Sequence, residues 1–228
     1  MLEPADTAAA WRSPGKISRE LLLQELRTIC AFAPGIVLEI GARTHYRGHE
    51  PFASAPSRWI KLDLDPRAMP QVVGSVYSMP FEANSVDTIL CTQVIEHLTT
   101  PQAALVEMHR VLRKTGRLVL SAPQAWPLHM EPDDYFRYTG HGLTLLLTNA
   151  GFRIEQLKPC GHFFASIGLI LSHAAFHLGF HARHSSVRHF WRSHGIVWIN
   201  RLFLRLERRW SSLSTANVIN WAVLARRE

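Results

Sequence analysis

Between residues 36 and 157 short apolar runs alternate with longer amphipathic segments, and no other feature of the chain narrows its fold as much. Residues 36–40 form a buried-strand pattern closed by Gly41. Residues 59–63, 71–74, 86–91, 117–121 and 152–157 repeat the theme, each ending near small or polar residues, and 218–225 has the character of a closing strand. Helical patterns lie between them. One covers 18–32 and stops at Pro34-Gly35. A second has Thr100 as N-cap, Pro101 at its first position and Leu105, Met108 and Leu112 on one face. A third is capped by Thr139 and ends at Gly151, where a left-handed glycine belongs. Strands alternating with helices at this pitch predict βαβ units, hence an α/β fold with a mostly parallel, doubly wound sheet whose ligands sit at strand C-termini.

With 228 residues and 47% apolar content, the chain can bury one sizeable core, so the expectation is a single domain. Its parts are an N-terminal helix region (1–34), a core (35–159), a helical insertion (160–215) and a closing strand (216–228). The first residues lack a signal-peptide or membrane-spanning pattern, which favours a cytoplasmic protein. Cys30, Cys91 and Cys160 are odd in number and widely spaced, so neither a disulfide framework nor a structural zinc follows. The net charge of +7 is concentrated late. Residues 1–180 carry 16 Lys/Arg against 16 Asp/Glu, and residues 181–228 carry nine against two.

The first strand runs into Glu39-Ile40-Gly41, and Asp63 follows 22 residues after Gly41 at the end of the next strand. That is the geometry of an adenosine site, with a glycine admitting a cofactor close to backbone and an acid accepting from ribose hydroxyls. An acid capping a strand end is the plainer alternative. A dinucleotide pyrophosphate would want later glycines, which Gly41-Ala42-Arg43-Thr44-His45-Tyr46 lacks.

Four further segments follow in order: Leu62-Asp63-Leu64-Asp65-Pro66, Ser78-Met79-Pro80-Phe81, Ser85-Val86-Asp87-Thr88-Ile89-Leu90 and Gln93-Val94-Ile95-Glu96-His97-Leu98. With Val37-Leu38-Glu39-Ile40-Gly41 before them and residues 109–118 after, the series resembles the class I S-adenosylmethionine-dependent methyltransferases, type 11 branch. The resemblance covers about residues 36–158. It implies a Rossmann-like, seven-stranded sheet with the last strand antiparallel, and S-adenosylmethionine as cofactor. Carried over by position, it implies that Glu39 and Gly41 face the methionine part, with Arg43 in the loop beyond. Asp63 then holds the ribose, Ser75 and Val76 flank the adenine, and Thr92 and Gln93 line the methyl-donor end. The chain departs from the family at Arg43, where glycine is usual, and at Ser75, commonly an aspartate.

Methyl transfer from a sulfonium is an in-line displacement, so alignment of acceptor and methyl carbon supplies most of the acceleration. For a hydroxyl acceptor a base is useful. His97 after the fourth strand, and His129, Asp133, Asp134 and Tyr135 in the segment 125–139, are the catalytic candidates by position. First-turn packing is the alternative for His97, and an Arg137 ion pair with Asp133 or Asp134 is the alternative for the loop. No metal site is expected, although His173, His177 and His181 recur every four residues. Residues 196–210 combine aromatic bulk with four arginines, as interfacial helices do, or as helices packed on a domain do. The acceptors expected are a small molecule, a glycan or a lipid-linked intermediate, with peripheral contact to the inner membrane face through 160–215. Nucleic acid ranks last, because aliphatics outnumber phosphate-binding groups. A non-catalytic scaffold of the same fold is the competing reading.

Overall fold

The computed structural model describes residues 10–30, 35–41, 57–181, 186, 190–210 and 217–228, so the expected cofactor position Arg43 lies outside the described residues. One seven-stranded sheet is built from β1 (Ile36–Ile40), β2 (Arg58–Asp63), β3 (Val72–Val73), β4 (Val86–Thr92), β5 (Leu112–Pro123), β6 (Phe152–Cys160) and β7 (Asn220–Arg227). Their spatial order is β3-β2-β1-β4-β5-β7-β6. The described helices include α1 (Lys16–Cys30), α2 (Pro101–Val111), α3 (Gly140–Asn149), α4 (Phe163–His181) and α5 (Ile196–Trp210).

β1 is flanked by β2 and β4 in parallel, with Ile40 level with Leu62 on one side and with Cys91 on the other. β2 pairs with β3 and β4 with β5 in the same sense. Val37, Leu38, Ile89 and Cys91 are all fully buried, as expected of strands covered on both faces. β7 runs against β6, since Ile219 N–H donates to Gly161 O (3.1 Å) and Glu228 N–H to Gly151 O (3.3 Å). The antiparallel last strand expected from the family resemblance is therefore present.

Several boundaries differ from the sequence expectation. β5 begins at Leu112 rather than Arg117, because the chain leaves α2 directly into extended backbone, and a register shift opposite residues 86–88 absorbs the extra residues. Thr115 takes φ +66° there, and a Cβ on Gly116 would lie 2.9 Å from Arg113 O. Leu112 therefore leaves the helical face assigned to it. Thr100 stands at the N-cap of α2 without a side-chain bond, whereas Thr139 caps α3 by accepting from Gly142 N–H (3.0 Å).

The chain divides into two compact units: Glu25–Lys158 with Trp221–Glu228, and Met1–Gln24 with Pro159–Asn220. The insertion foreseen at 160–215 falls in the second, which the described N-terminal residues up to Gln24 join. In the first, Leu38, Ile89, Leu105, Met108, Leu118 and Leu143 are among the side chains of one core. In the second, α4 and α5 approach so closely that a Cβ on Gly168 would lie 2.5 Å from Phe203 Cβ. Buried Asn200 accepts from Ser172 Oγ (2.9 Å) and donates to Trp11 O and Ser13 O (both 3.0 Å).

Glu207 on α5 sits at the head of α4. Its carboxylate accepts from His162 N–H (2.7 Å) and Ala165 N–H (2.9 Å), two donors that a helix N-terminus leaves without an intrahelical partner. The side chain is 3% exposed. Glu207→Ala strands both donors in a dry setting and should cost about 2–4 kcal/mol in urea unfolding. Surface Arg205→Ala, by comparison, should change stability by less than about 0.5 kcal/mol.

Candidate active site

Because β1 to β4 are parallel, their C-terminal ends fall on one edge. Gly41 follows Ile40 and is therefore level with Asp63 on β2 and Thr92 on β4, each one strand spacing of about 5 Å away. Gly41 N–H donates to Leu62 O (3.0 Å) and Gly74 N–H to Asp63 O (3.0 Å), so the ladder continues past the formal strand ends. Gly41 takes φ +70°, and a Cβ there would meet Val94 Cγ2 at 2.5 Å. Only glycine suits that position without displacement of the neighbour.

Glu39 is buried, and its Oε2 accepts from Trp59 Nε1 (2.9 Å). Asp63 is 9% exposed, with Oδ1 accepting from Asp65 N–H (2.9 Å), which turns the chain after β2. Ser75 Oγ accepts from Tyr77 N–H (3.2 Å), and Val76 is buried beside it. Gln93 takes φ +54° and donates from Nε2 to Ser121 Oγ (3.1 Å), while Thr92 is buried. The described cofactor candidates thus share one edge of the sheet. Carboxylates at Glu39 and Asp63 suit a ligand bearing an ammonium and a ribose diol, and the open turn at Gly41 suits close approach. The donor set fits S-adenosylmethionine.

Four of the five catalytic candidates also converge. His97 Nδ1 is 2.5 Å from Asp133 O, and the rings of His97 and His129 meet edge-on with centroids 4.9 Å apart. Tyr135 Oη donates to Asp133 Oδ1 (2.8 Å), and Tyr135 N–H donates to Glu96 O (2.9 Å). The hydrogen bond to Asp133 raises the Tyr135 pKa, holding the phenol protonated and making it a poor base. His129 is shifted the other way. Burial lowers its pKa against the pull of Asp134, so the ring is a neutral imidazole near pH 7.

Asp134, a candidate base by position, is instead locked by Arg137, and the pair organises this loop. Asp134, with a side chain 1% exposed, lies 3.2 Å from His129 Nδ1 and accepts from His129 N–H (3.0 Å). Arg137 grips Asp134 in a fork, with Nη1 to Oδ1 and Nη2 to Oδ2 both 2.7 Å, and holds the Asp134 carboxyl well below the usual carboxylate range. Its remaining bonds go to Trp126 O from Nε, Phe136 O from Nη1 and Pro127 O from Nη2. All five guanidinium donors are consumed within the loop. The Asp134–Arg137 spacing of three was the available signal, and the structural reading of that pair is the one realised. The partnership of Asp134 with His129 has no signature in sequence.

Residues 39–120 match a sequence profile described as a methyltransferase domain. Over that segment the chain is similar to S-adenosylmethionine-dependent methyltransferase domains. Among curated relatives of this domain, a Mycolicibacterium smegmatis protein named "Probable S-adenosylmethionine-dependent methyltransferase" is 30% identical over 159 residues, covering 63% of this chain and 61% of that one. Six such relatives match, and the chain spans between 30% and 61% of their length. In fold, the chain is similar to Burkholderia thailandensis 1,6-didemethyltoxoflavin-N1-methyltransferase, solved with bound 1,6-didemethyltoxoflavin and S-adenosylhomocysteine. The TM-score is 0.54 at 17% identity, covering 90% of this chain and 77% of that one. It is also similar to the [4+2]-cyclase SpnF, with a TM-score of 0.57 at 15% identity, covering 90% and 80%.

Arg137→Lys replaces the five-donor fork with three rotatable donors and leaves loop carbonyls unpaired. A destabilisation of about 1–3 kcal/mol by thermal unfolding is expected, with faster limited proteolysis between residues 124 and 138.

Proposed function

We propose that this protein transfers a methyl group from S-adenosylmethionine to a small-molecule, glycan or lipid-linked acceptor at the C-terminal edge of its sheet. The observation that carries the reading is the convergence on that edge of Glu39, Gly41, Asp63, Ser75, Val76, Thr92 and Gln93, in the family's order and in register. The cofactor, when bound, supplies an electrophilic sulfonium methyl. Asp63 would accept from the ribose hydroxyls and Glu39 with Gly41 would meet the methionine part. Ser75 would meet the adenine through the hydroxyl that already accepts from Tyr77, and Thr92 and Gln93 would bound the reacting end. The acceptor's place is then beside His97 and the loop of His129, Asp133 and Tyr135. Of these, the His129 and His97 imidazoles are the groups able to take a proton from an acceptor hydroxyl, and Tyr135 positions Asp133. A scaffold without catalysis is not favoured, since the methyltransferase profile runs through the residues of this edge.

The second unit supports contact with an anionic membrane surface. On α5, Trp198, Arg201, Arg205 and Arg208 recur at helical spacing on the exposed side, opposite buried Ile196, Asn200, Leu204 and Glu207. On α4, exposed Ile170, Leu171 and Leu178 form an apolar stripe. Among the described residues no helix is long and apolar enough to cross a membrane. A peripheral site would suit a lipid-linked acceptor.

Calorimetric titration should show one S-adenosylmethionine per chain, with S-adenosylhomocysteine competing. Asp63→Ala should weaken binding by about 10- to 100-fold through loss of charge-assisted hydrogen bonds. Binding unchanged in that variant, or none in folded wild type, sinks the enzyme reading. For the membrane contact, phosphatidylglycerol-rich vesicles should co-float the intact chain and release it as salt rises. The combined variant Arg201→Glu, Arg205→Glu should float less, and equal flotation would discard the contact.

A further inference from the structure

Within the first unit, Glu96, His97 and His129 each offer one ligand atom, and these atoms lie within 4.8 Å of one another. Glu96 is fully buried at the turn after β4, the neighbouring His97 side chain is 16% exposed, and His129 arrives from the loop after β5 with 27% of its side chain exposed. A carboxylate and two imidazoles converging from two different loops is the ligand set of an open-sided transition-metal centre, with three protein ligands and a free position.

The surroundings of the two rings fit that role. A metal-bound histidine ordinarily gives its second nitrogen to a carbonyl or carboxylate, which fixes tautomer and ring orientation. His97 presents Nδ1 to the backbone carbonyl of Asp133 at 2.5 Å, which leaves its Nε2 as the ligating nitrogen. His129 is anchored instead through its backbone, whose N–H donates to the Asp134 carboxylate (3.0 Å). Asp134 is itself locked by the Arg137 fork. His97 Nε2 is 3.9 Å from Glu96 Oε1. Donors around a tetrahedral zinc with bonds of about 2.05 Å stand about 3.3 Å apart, so each side chain need close by only about 1 Å. Partial exposure of both rings leaves a path for a hydrated cation.

We propose that Glu96, His97 and His129 bind one divalent transition-metal ion of the zinc class, with Asp133 O orienting the His97 imidazole and Asp134 anchoring the His129 backbone. Cation binding does not depend on methyl transfer. On the methyltransferase reading, the free position would hold an acceptor oxygen and ease loss of its proton to water.

The test uses the intact chain, stripped with chelator and titrated with Co²⁺ by visible absorption, followed by Zn²⁺ competition. Expected is one Co²⁺ per chain with the intense d–d bands of low coordination, displaced by Zn²⁺. His97→Ala and His129→Ala should each weaken binding at least about 10-fold. His177→Ala on α4 should change nothing. All variants are checked by far-UV circular dichroism, and the two histidine substitutions, at partly exposed sites, leave the buried Glu96 in place. Absence of a saturable one-to-one complex in wild type overturns the proposal. So does binding unchanged in both His97→Ala and His129→Ala, or binding lost in His177→Ala. Calorimetry of the same samples with S-adenosylmethionine keeps failure of the metal site distinct from failure of the cofactor reading.

Discussion

Everything functional in this chain depends on β1 lying in parallel register between β2 and β4. Once Ile40 is level with both Leu62 and Cys91, the residues that follow each strand emerge side by side without any specific contact between them. The register is set by burial. Val37 and Leu38 point to opposite faces and both are fully buried, while buried Glu39 keeps its carboxylate paired with Trp59 Nε1, a partner that a slip by one residue would remove. The four apolar residues of β1 thus place Gly41 at the edge, where the ladder continues through its N–H to Leu62 O.

The acceptor side is built differently, by polar ties rather than by burial. Glu96 O accepts from the N–H groups of Tyr135 (2.9 Å) and Phe136 (3.2 Å), and Tyr138 Oη donates to Ile95 O (3.1 Å). These bonds sew residues 135–138 to the turn after β4. The Arg137 fork then folds 126–136 onto itself, and the result carries His129 to His97. A loop held in this way can keep exposed aromatic side chains such as Tyr135 and Phe136 in place without a large apolar core beneath it.

The two halves of the site differ in how far they could be read in advance. Glu39, Gly41, Asp63 and the strand pattern around them were legible because a parallel strand carries its identity in consecutive residues, and its end is marked by glycine or an acid. The boundaries that moved, at Leu112 and Thr115, moved because a register shift between neighbouring strands leaves no local trace. The meeting of His129 with Glu96 and His97 spans 32 residues and two loops, and no periodicity connects them. The segregation of the described N-terminal residues with 159–220 was invisible for the same reason. It depends on bonds such as Asn200 Nδ2 to Trp11 O, 189 positions apart.

A shared fold does not fix the reaction, since the [4+2]-cyclase SpnF is as similar in backbone as a toxoflavin-pathway methyltransferase. What separates chemistries on this scaffold is the set of groups facing the acceptor. Here an arginine in that loop invites assignment as a binder of phosphate or carboxylate, and the structure removes it from consideration because all five donors are occupied by the loop itself. On the proposed reading, the groups left to face the acceptor are imidazoles and a buried carboxylate. They suit recognition of a neutral hydroxyl or amine through proton or metal contact rather than capture of an anion.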